Sequence, residues 1–217
     1  MKLYNADLSP NCVRVRAVIH ELGLPVEIVD VNIFSKEPKP ADFLAANPNG
    51  TVPAFVDDDG FALFESLAIN TYLASKRPER DLYPADPKRR AIVDQWSYWQ
   101  ALQLGPAMQA VGFERVLKPK WGMGPGDDAV IAAKMAEVER YLPVLDRGLN
   151  GKDWLAGTLS LAGFAVASTF LLREPSHISL TKTPTSKLGS DDSRSCPHGT
   201  MRCRGSERTQ LRCCLTR

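Results

Sequence analysis

The chain has 217 residues, with 27 Lys plus Arg against 25 Asp plus Glu and a formal net charge of +2, so no charge excess directs it to nucleic acid or to an acidic surface. That length buries one generous core or two small ones. The N-terminus, Met1-Lys2-Leu3-Tyr4-Asn5-Ala6-Asp7, turns polar too early for the apolar stretch of a signal peptide, so a cytoplasmic protein is expected. The cysteines are odd in number, and Cys196, Cys203, Cys213 and Cys214 crowd one end, so they form no disulfide framework for a chain of this size.

Leu3 and Tyr4 open a short strand. Cys12, Val15, Val18, Ile19 and Leu22 then recur at helical spacing, with Pro10 suited to a first turn and Gly23 to a left-handed cap. Val26-Glu27-Ile28-Val29-Asp30-Val31, rich in β-branched residues, is the next strand, and a β-α-β unit implies that the two strands are parallel. Ala54-Phe55-Val56 and Phe61-Ala62-Leu63-Phe64 flank Asp57-Asp58-Asp59-Gly60 as an antiparallel hairpin. A helix is predicted over 66–76, with Ser66 placed to cap it.

Beyond Arg77-Pro78 the pattern changes to helices alone, beginning with Asp86 as N-cap and Pro87 in the first turn. The predicted organisation is one domain over 1–78 and an all-helical one over 86–172. After a loop containing Gly122, Gly124, Pro125 and Gly126, the residues Ile131, Met135, Val138, Leu142 and Leu145 make one apolar stripe. Asp127 or Asp128 can cap that helix and Gly148 can end it. Residues 155–172 lack charge and approach spanning length, but Thr158, Ser160, Gly163, Ser168 and Thr169 suit a buried core helix better than a membrane span. Over 181–217 the apolar periodicity disappears and a disordered or poorly packed tail is expected.

Three motifs stand in order in the first domain: Ser9-Pro10-Asn11-Cys12 after strand one, Asn47-Pro48-Asn49-Gly50-Thr51-Val52-Pro53-Ala54, and Phe64-Glu65-Ser66-Leu67-Ala68-Ile69 followed by Tyr72-Leu73. Each alone is a weak signal, and the ordered set is a strong one. Over residues 1–172 the chain resembles a glutathione S-transferase of the serine-dependent kind, similar to the theta and phi classes. The resemblance implies an α/β plus all-α fold, a thioredoxin-like N-terminal domain followed by a helical domain. It also implies glutathione as co-substrate, a small hydrophobic electrophile as second substrate, a homodimer, and neither a metal, a nucleic acid nor a membrane as partner.

The same resemblance distributes roles. In the family the peptide bond before Pro53 is cis, which turns the Val52 N–H and C=O outward to pair with the cysteinyl backbone of glutathione, with Thr51 beside it; taken alone, Pro53 reads equally as the start of an edge strand. Glu65 and Ser66 lie where a strand meets a helix, so the free N–H groups there suit the γ-glutamyl carboxylate and Glu65 suits the α-amino group. Isolated, the pair would be an ordinary cap beside a solvated acid. Lys39 aligns with a basic residue that meets the glycyl carboxylate in related classes.

Ser9-Pro10-Asn11-Cys12 occupies the place of the Cys-x-x-Cys of thioredoxins but lacks the first cysteine, so no low-pKa thiolate stands there. Ser9 can instead donate its hydroxyl to the sulfur of glutathione, with Asn11 as the fallback donor. Cys12, one turn in, reads either as a buried structural thiol or as the thiol of a reductase. Trp96 and Trp99, on a long helix, are candidates for the second-substrate pocket, expected between the domains, although aromatics at that spacing also build cores. Tyr4 reads as packing.

Two features depart from the family. Gly163 replaces the acid of a Ser/Thr-x-x-Asp box at the helix beginning near Ser160, and the final helices give way to the Cys- and Arg-rich tail, whose cysteine spacing suits no zinc site. The leading expectation is a detoxifying transferase; the alternatives are a non-catalytic glutathione- or protein-binding module of the same fold, and a glutathione-dependent thiol reductase using Cys12.

Overall fold

The computed structural model describes residues 1–35 and 37–179; the expected tail over 181–217, with its four cysteines, lies outside them. The chain divides into two compact units, Met1–Val93 and the remainder from Asp94 onward. In the first, four strands, β1 (Lys2–Asn5), β2 (Glu27–Asp30), β3 (Ala54–Val56) and β4 (Ala62–Phe64), form one sheet in the order β2-β1-β3-β4. β1 pairs parallel with β2, while β3 runs antiparallel to both β1 and β4. The second strand is shorter than its β-branched run predicted: Val26 and Val31 fall outside it.

Helix α1 (Pro10–Leu22) starts where the sequence places it. Ser9 is the N-cap, Pro10 has no N–H to leave orphaned, and Gly23 closes the helix in the left-handed conformation with Leu24 N–H on the Ile19 carbonyl. Its whole predicted stripe, Cys12, Val15, Val18, Ile19 and Leu22, is buried. So is Arg14, whose guanidinium burial lowers to about 10. Helix α2 (Ala41–Ala46) packs on β3, and α3 (Ser66–Ser75) packs on α1.

The chain then enters α4 (Pro87–Trp99), which Asp86 caps by accepting from Arg89 N–H at 2.8 Å. The second unit adds α5 (Gly105–Gly112), the short α6 (Lys118–Lys120), α7 (Asp128–Leu149) and α8 (Leu161–Ser168). Two π-helical turns, Gln100–Leu104 and Phe113–Leu117, bracket α5. Each precedes an X-Pro pair, Gly105-Pro106 or Lys118-Pro119. A proline lacks the N–H of an α-helical bond and its ring strikes the carbonyl four residues back. The wide turn relieves this, with Gly105 and Lys118 donating five residues back to Gln100 and Phe113.

α7 is capped by Asp127, which accepts from Ala129 and Val130 N–H, and it presents Val138, Leu142 and Leu145 to the core as the stripe predicts. Its end is a correction. The helix continues through Gly148 to Leu149, with Asn150 as C-cap. Gly148 is small because the Trp96 ring lies against it: a Cβ there would be 2.4 Å from Trp96 Cζ2. Leu161, Ala162, Ala165 and Val166 of α8 are buried with Leu104, Met108 and Val111 as core residues of the unit. Among the described residues no helix is long and apolar enough to cross a membrane. At the start of α8 Ser160 is the N-cap yet makes no side-chain cap bond, the Gly163 N–H bonding to the Ser160 carbonyl at 3.0 Å instead, and Gly163 has no side chain to reach back to the Ser160 N–H.

Candidate active site

The register of the sheet gathers the three motifs. Ala54 lies opposite both Tyr4 of β1 and Phe64 of β4. Residues immediately before Ala54 therefore sit at the same end of the sheet as those following Tyr4 and Phe64. That end holds Val52-Pro53, the Ala6–Ser9 turn leading into α1, and Glu65-Ser66. Cys12 and Val52 share one buried cluster with Tyr4, Phe43 and Ala54, which ties the start of α1 to the Val52 loop.

The Val52-Pro53 peptide is cis. Among the described residues neither the Val52 N–H nor its C=O takes a partner, so its backbone edge is open. The loop carrying it is fixed from beneath by Asn47, a buried residue that uses both ends of its amide. Its Nδ2 donates to the Thr51 carbonyl at 2.6 Å and to Thr51 Oγ1 at 3.2 Å, while its Oδ1 accepts from Asn49 N–H at 3.1 Å and Asn49 Nδ2 at 2.9 Å. Gly50 N–H closes the turn on the Asn47 carbonyl at 2.9 Å. Lys39, half-buried, donates from Nζ to the Gly50 carbonyl at 2.6 Å. An ammonium has three donors, so one braces the loop and the others remain for an anion.

At the third motif the cap is displaced by one residue from the expectation. Glu65 is the N-cap and Ser66 is the first helical residue, and the Glu65 side chain makes no cap bond to α3. The first amide with a helical partner is Ile69, on the Glu65 carbonyl at 2.9 Å. The amides of Ser66, Leu67 and Ala68 are thus the orphan donors of a helix start, at the positive end of its dipole. Glu65 takes φ 70°, a conformation that L-residues avoid and that surrounding structure must impose. Its carboxylate is exposed while Ser66 is buried.

Ser9 Oγ accepts from Cys12 N–H at 3.4 Å, which occupies a lone pair and leaves the hydroxyl proton available to donate. Ser9 and Asn11 are both half-buried. Cys12 is wholly buried, and its Sγ accepts from Ala6 N–H at 3.4 Å. Burial pushes its thiol up, against smaller opposing effects from Ser9, Ala6 and Arg16. Tyr4, beside this end, donates its hydroxyl to Asp42 Oδ2 at 2.7 Å, and burial followed by that carboxylate pushes the phenol up to about 12. The phenol is a tie between β1 and α2.

Trp96 is buried and meets Trp99 edge-on at 5.3 Å between ring centroids; Trp99, half-buried, meets Tyr141 edge-on at 6.1 Å. Packed against Gly148, Trp96 is a core residue of the helical unit. Sequence reasoning missed Asp42, the bracing role of Asn47 and a cluster of Asp57, Tyr72 and Lys76. Asn47 and Gly50 were visible as turn formers, but no local signal pairs Tyr4 with Asp42.

Comparison with known proteins identifies the family. The family model for the glutathione S-transferase N-terminal domain matches residues 3–81. Glutathione S-transferase 3 of Zea mays is 37% identical over 180 residues, covering 81% of this chain and 80% of that protein. Glutathione S-transferase F13 of Arabidopsis thaliana is 38% identical over 166 residues, 75% of each. The solved structure of glutathione S-transferase I from maize in complex with an atrazine glutathione conjugate superposes with a TM-score of 0.70 at 34% identity, covering 86% of this chain and 84% of that one. The chain belongs to the glutathione S-transferase family.

Proposed function

We propose that this chain is a serine-type glutathione transferase that joins the thiolate of glutathione to small hydrophobic electrophiles. The observation that carries the reading is the convergence, at one end of one sheet, of an open Val52 backbone, an uncapped helix start beside Glu65, and a Ser9 hydroxyl with a proton to give. Val52 would pair with the cysteinyl backbone of glutathione, with Thr51 and Pro53 flanking it. The Ser66 helix start would hold the γ-glutamyl carboxylate and Glu65 the α-amino group, while Lys39 would meet the glycyl carboxylate.

Ser9, seconded by Asn11, would donate a hydrogen bond to the sulfur. That bond favours the thiolate over the thiol, whose proton passes to solvent. The thiolate then forms a carbon–sulfur bond as the electrophile's leaving group departs with its electron pair. Trp99, partly open, is the better pocket candidate on α4, since Trp96 is occupied with Gly148. The atrazine glutathione conjugate held by the maize relative supports an apolar second substrate. On the same resemblance the protein is read as a cytoplasmic homodimer serving detoxification. Cys12, buried and pushed up in pKa, lacks the access and the thiolate character that a reductase requires, which favours Ser9 over the thiol-reductase reading.

The test is retention on immobilised glutathione together with conjugation of a chlorodinitrobenzene-type electrophile. Glu65→Ala should weaken retention, Ser9→Ala should lower turnover and raise the pKa of bound glutathione, and Cys12→Ala should do little. Retention indifferent to Glu65→Ala with Ser66→Ala would remove the glutathione assignment. Binding without turnover would leave a non-catalytic module, and activity lost with Cys12 would transfer the chemistry to the thiol.

A further inference from the structure

Far from the proposed site, at the turn of the β3–β4 hairpin, Asp57 gathers three donors. Tyr72 donates its hydroxyl to Asp57 Oδ2, Lys76 Nζ lies 2.5 Å from the same oxygen, and Asp58 N–H donates to Oδ1 at 2.8 Å. The carboxylate is almost closed to solvent, with its side chain 7% exposed. The Tyr72 ring lies 5.3 Å from that of Phe61 and 6.0 Å from that of Phe55, and Lys76 Nζ stands 4.9 Å from its centroid. An acid held by two long side chains, one from the last turn of α3 and one from its C-cap, is more than a surface pair: its geometry is fixed by a packed ring and a shielded ion pair.

Tyr72 lies in the C-terminal half of α3 and Lys76 is its C-cap, while at the other end Glu65 is the N-cap and Ser66 the first helical residue. The helix runs from the open end of the hairpin back to its turn and is held at both ends: covalently to Phe64 at one, through Asp57 at the other. Glu65 is the joint, and its φ of 70° persists only while the direction of α3 is fixed independently. We infer that Asp57, acting through Tyr72 and Lys76, is a positioning residue for glutathione: it sets the direction of α3 and so the aim of the Ser66, Leu67 and Ala68 amides and of Glu65. This rests on the glutathione reading of that helix start. Ser9 leads into α1, to which the Asp57 bonds do not reach. Loss of the clamp should therefore weaken capture of the γ-glutamyl group and spare the chemistry at sulfur.

The experiment uses the full chain with Asp57→Asn and Tyr72→Phe, the latter keeping the ring packing should the former fold poorly. Glutathione KM, kcat and the pKa of bound glutathione are measured for each, alongside amide exchange at Ile69. The expected result is a glutathione KM raised about tenfold, as loss of a charge-assisted bond implies, with kcat and thiol pKa retained and faster exchange at Ile69. Asp57→Glu, which keeps the charge, should recover part of the KM. An unchanged KM in Tyr72→Phe, or a loss confined to kcat or to melting temperature, overturns the inference. If the unaltered chain fails to bind glutathione, the function reading falls by itself, and Ile69 exchange alone decides whether Asp57 holds the helix start: slow exchange in both variants overturns the inference too.

Discussion

Lys39 and Gly50 hold each other in place: Lys39 Nζ donates to the Gly50 carbonyl at 2.6 Å, and a Cβ on residue 50 would lie 2.9 Å from that nitrogen. Gly50 also takes φ 61°, where an L-residue costs about 1–2 kcal/mol. Gly50→Ala should therefore strain the turn and evict Lys39 at once. The expected outcome is a lower urea midpoint together with a raised glutathione KM, whereas Lys39→Met should raise KM with a smaller loss of stability. A glutathione KM unchanged from wild type in both variants would separate Lys39 from the site.

Gly148 and Trp96 make the corresponding contact in the helical unit. A methyl group at 148 overlaps the indole, so Gly148→Ala should cost about 1–3 kcal/mol, the range of an overpacked core. Trp96→Leu alone opens a cavity, but in the presence of Gly148→Ala it should recover part of the loss. A double-mutant cycle by denaturant melts measures the coupling; additive losses would show that the indole yields elsewhere.

The start of α8 can be improved. Ser160 caps without a side-chain bond, and Gly163 stands three residues on, where a carboxylate would reach back to the Ser160 N–H. Gly163→Asp should stabilise by about 1 kcal/mol, combining the cap bond with loss of glycine's unfolded-state freedom. A thermal melt that moves down would mean that the site has no room for the acid.

Tyr4 gives a pH dependence with a definite sign. Its folded pKa of about 12 lies above the ordinary 10.0, so the folded state binds the proton more tightly than the unfolded chain does. The contribution to stability is whole below pH 10 and is lost as the pH climbs toward 12. Wild-type melting temperature should fall more steeply than that of Tyr4→Phe across that interval. A parallel decline would show that the Asp42 bond is not what burial of the phenol implies.

Local chemistry was readable in advance. Gly23, Asp86 and Asp127 cap or close helices because a side chain or a left-handed glycine a few residues away suffices, and the hairpin follows from two apolar runs around a glycine turn. Features decided across long separations were not. Gly148 looks like a terminator until Trp96, far back in the chain, is known to rest on it. Ser66 looks like a cap because a serine after a strand normally is one; only the bent joint at Glu65 shifts the helix start by a residue. Asp57 reads as one of three turn acids, and nothing nearby marks it as the one that Tyr72 and Lys76 select.

The two π-helical turns also set where this molecule can change length. Each carries one residue more than an α-helical turn, at a place the following proline has prepared. Deleting the exposed Leu102 while replacing Pro106 by Ala would leave an uninterrupted α-helix, with Met108 and Val111 still in phase with the core. The same deletion at Gln109, inside regular helix, would rotate every later side chain by about 100°. The helical unit can thus lose a residue at its proline-marked turns and keep its packing, while an insertion or deletion between them would scramble it.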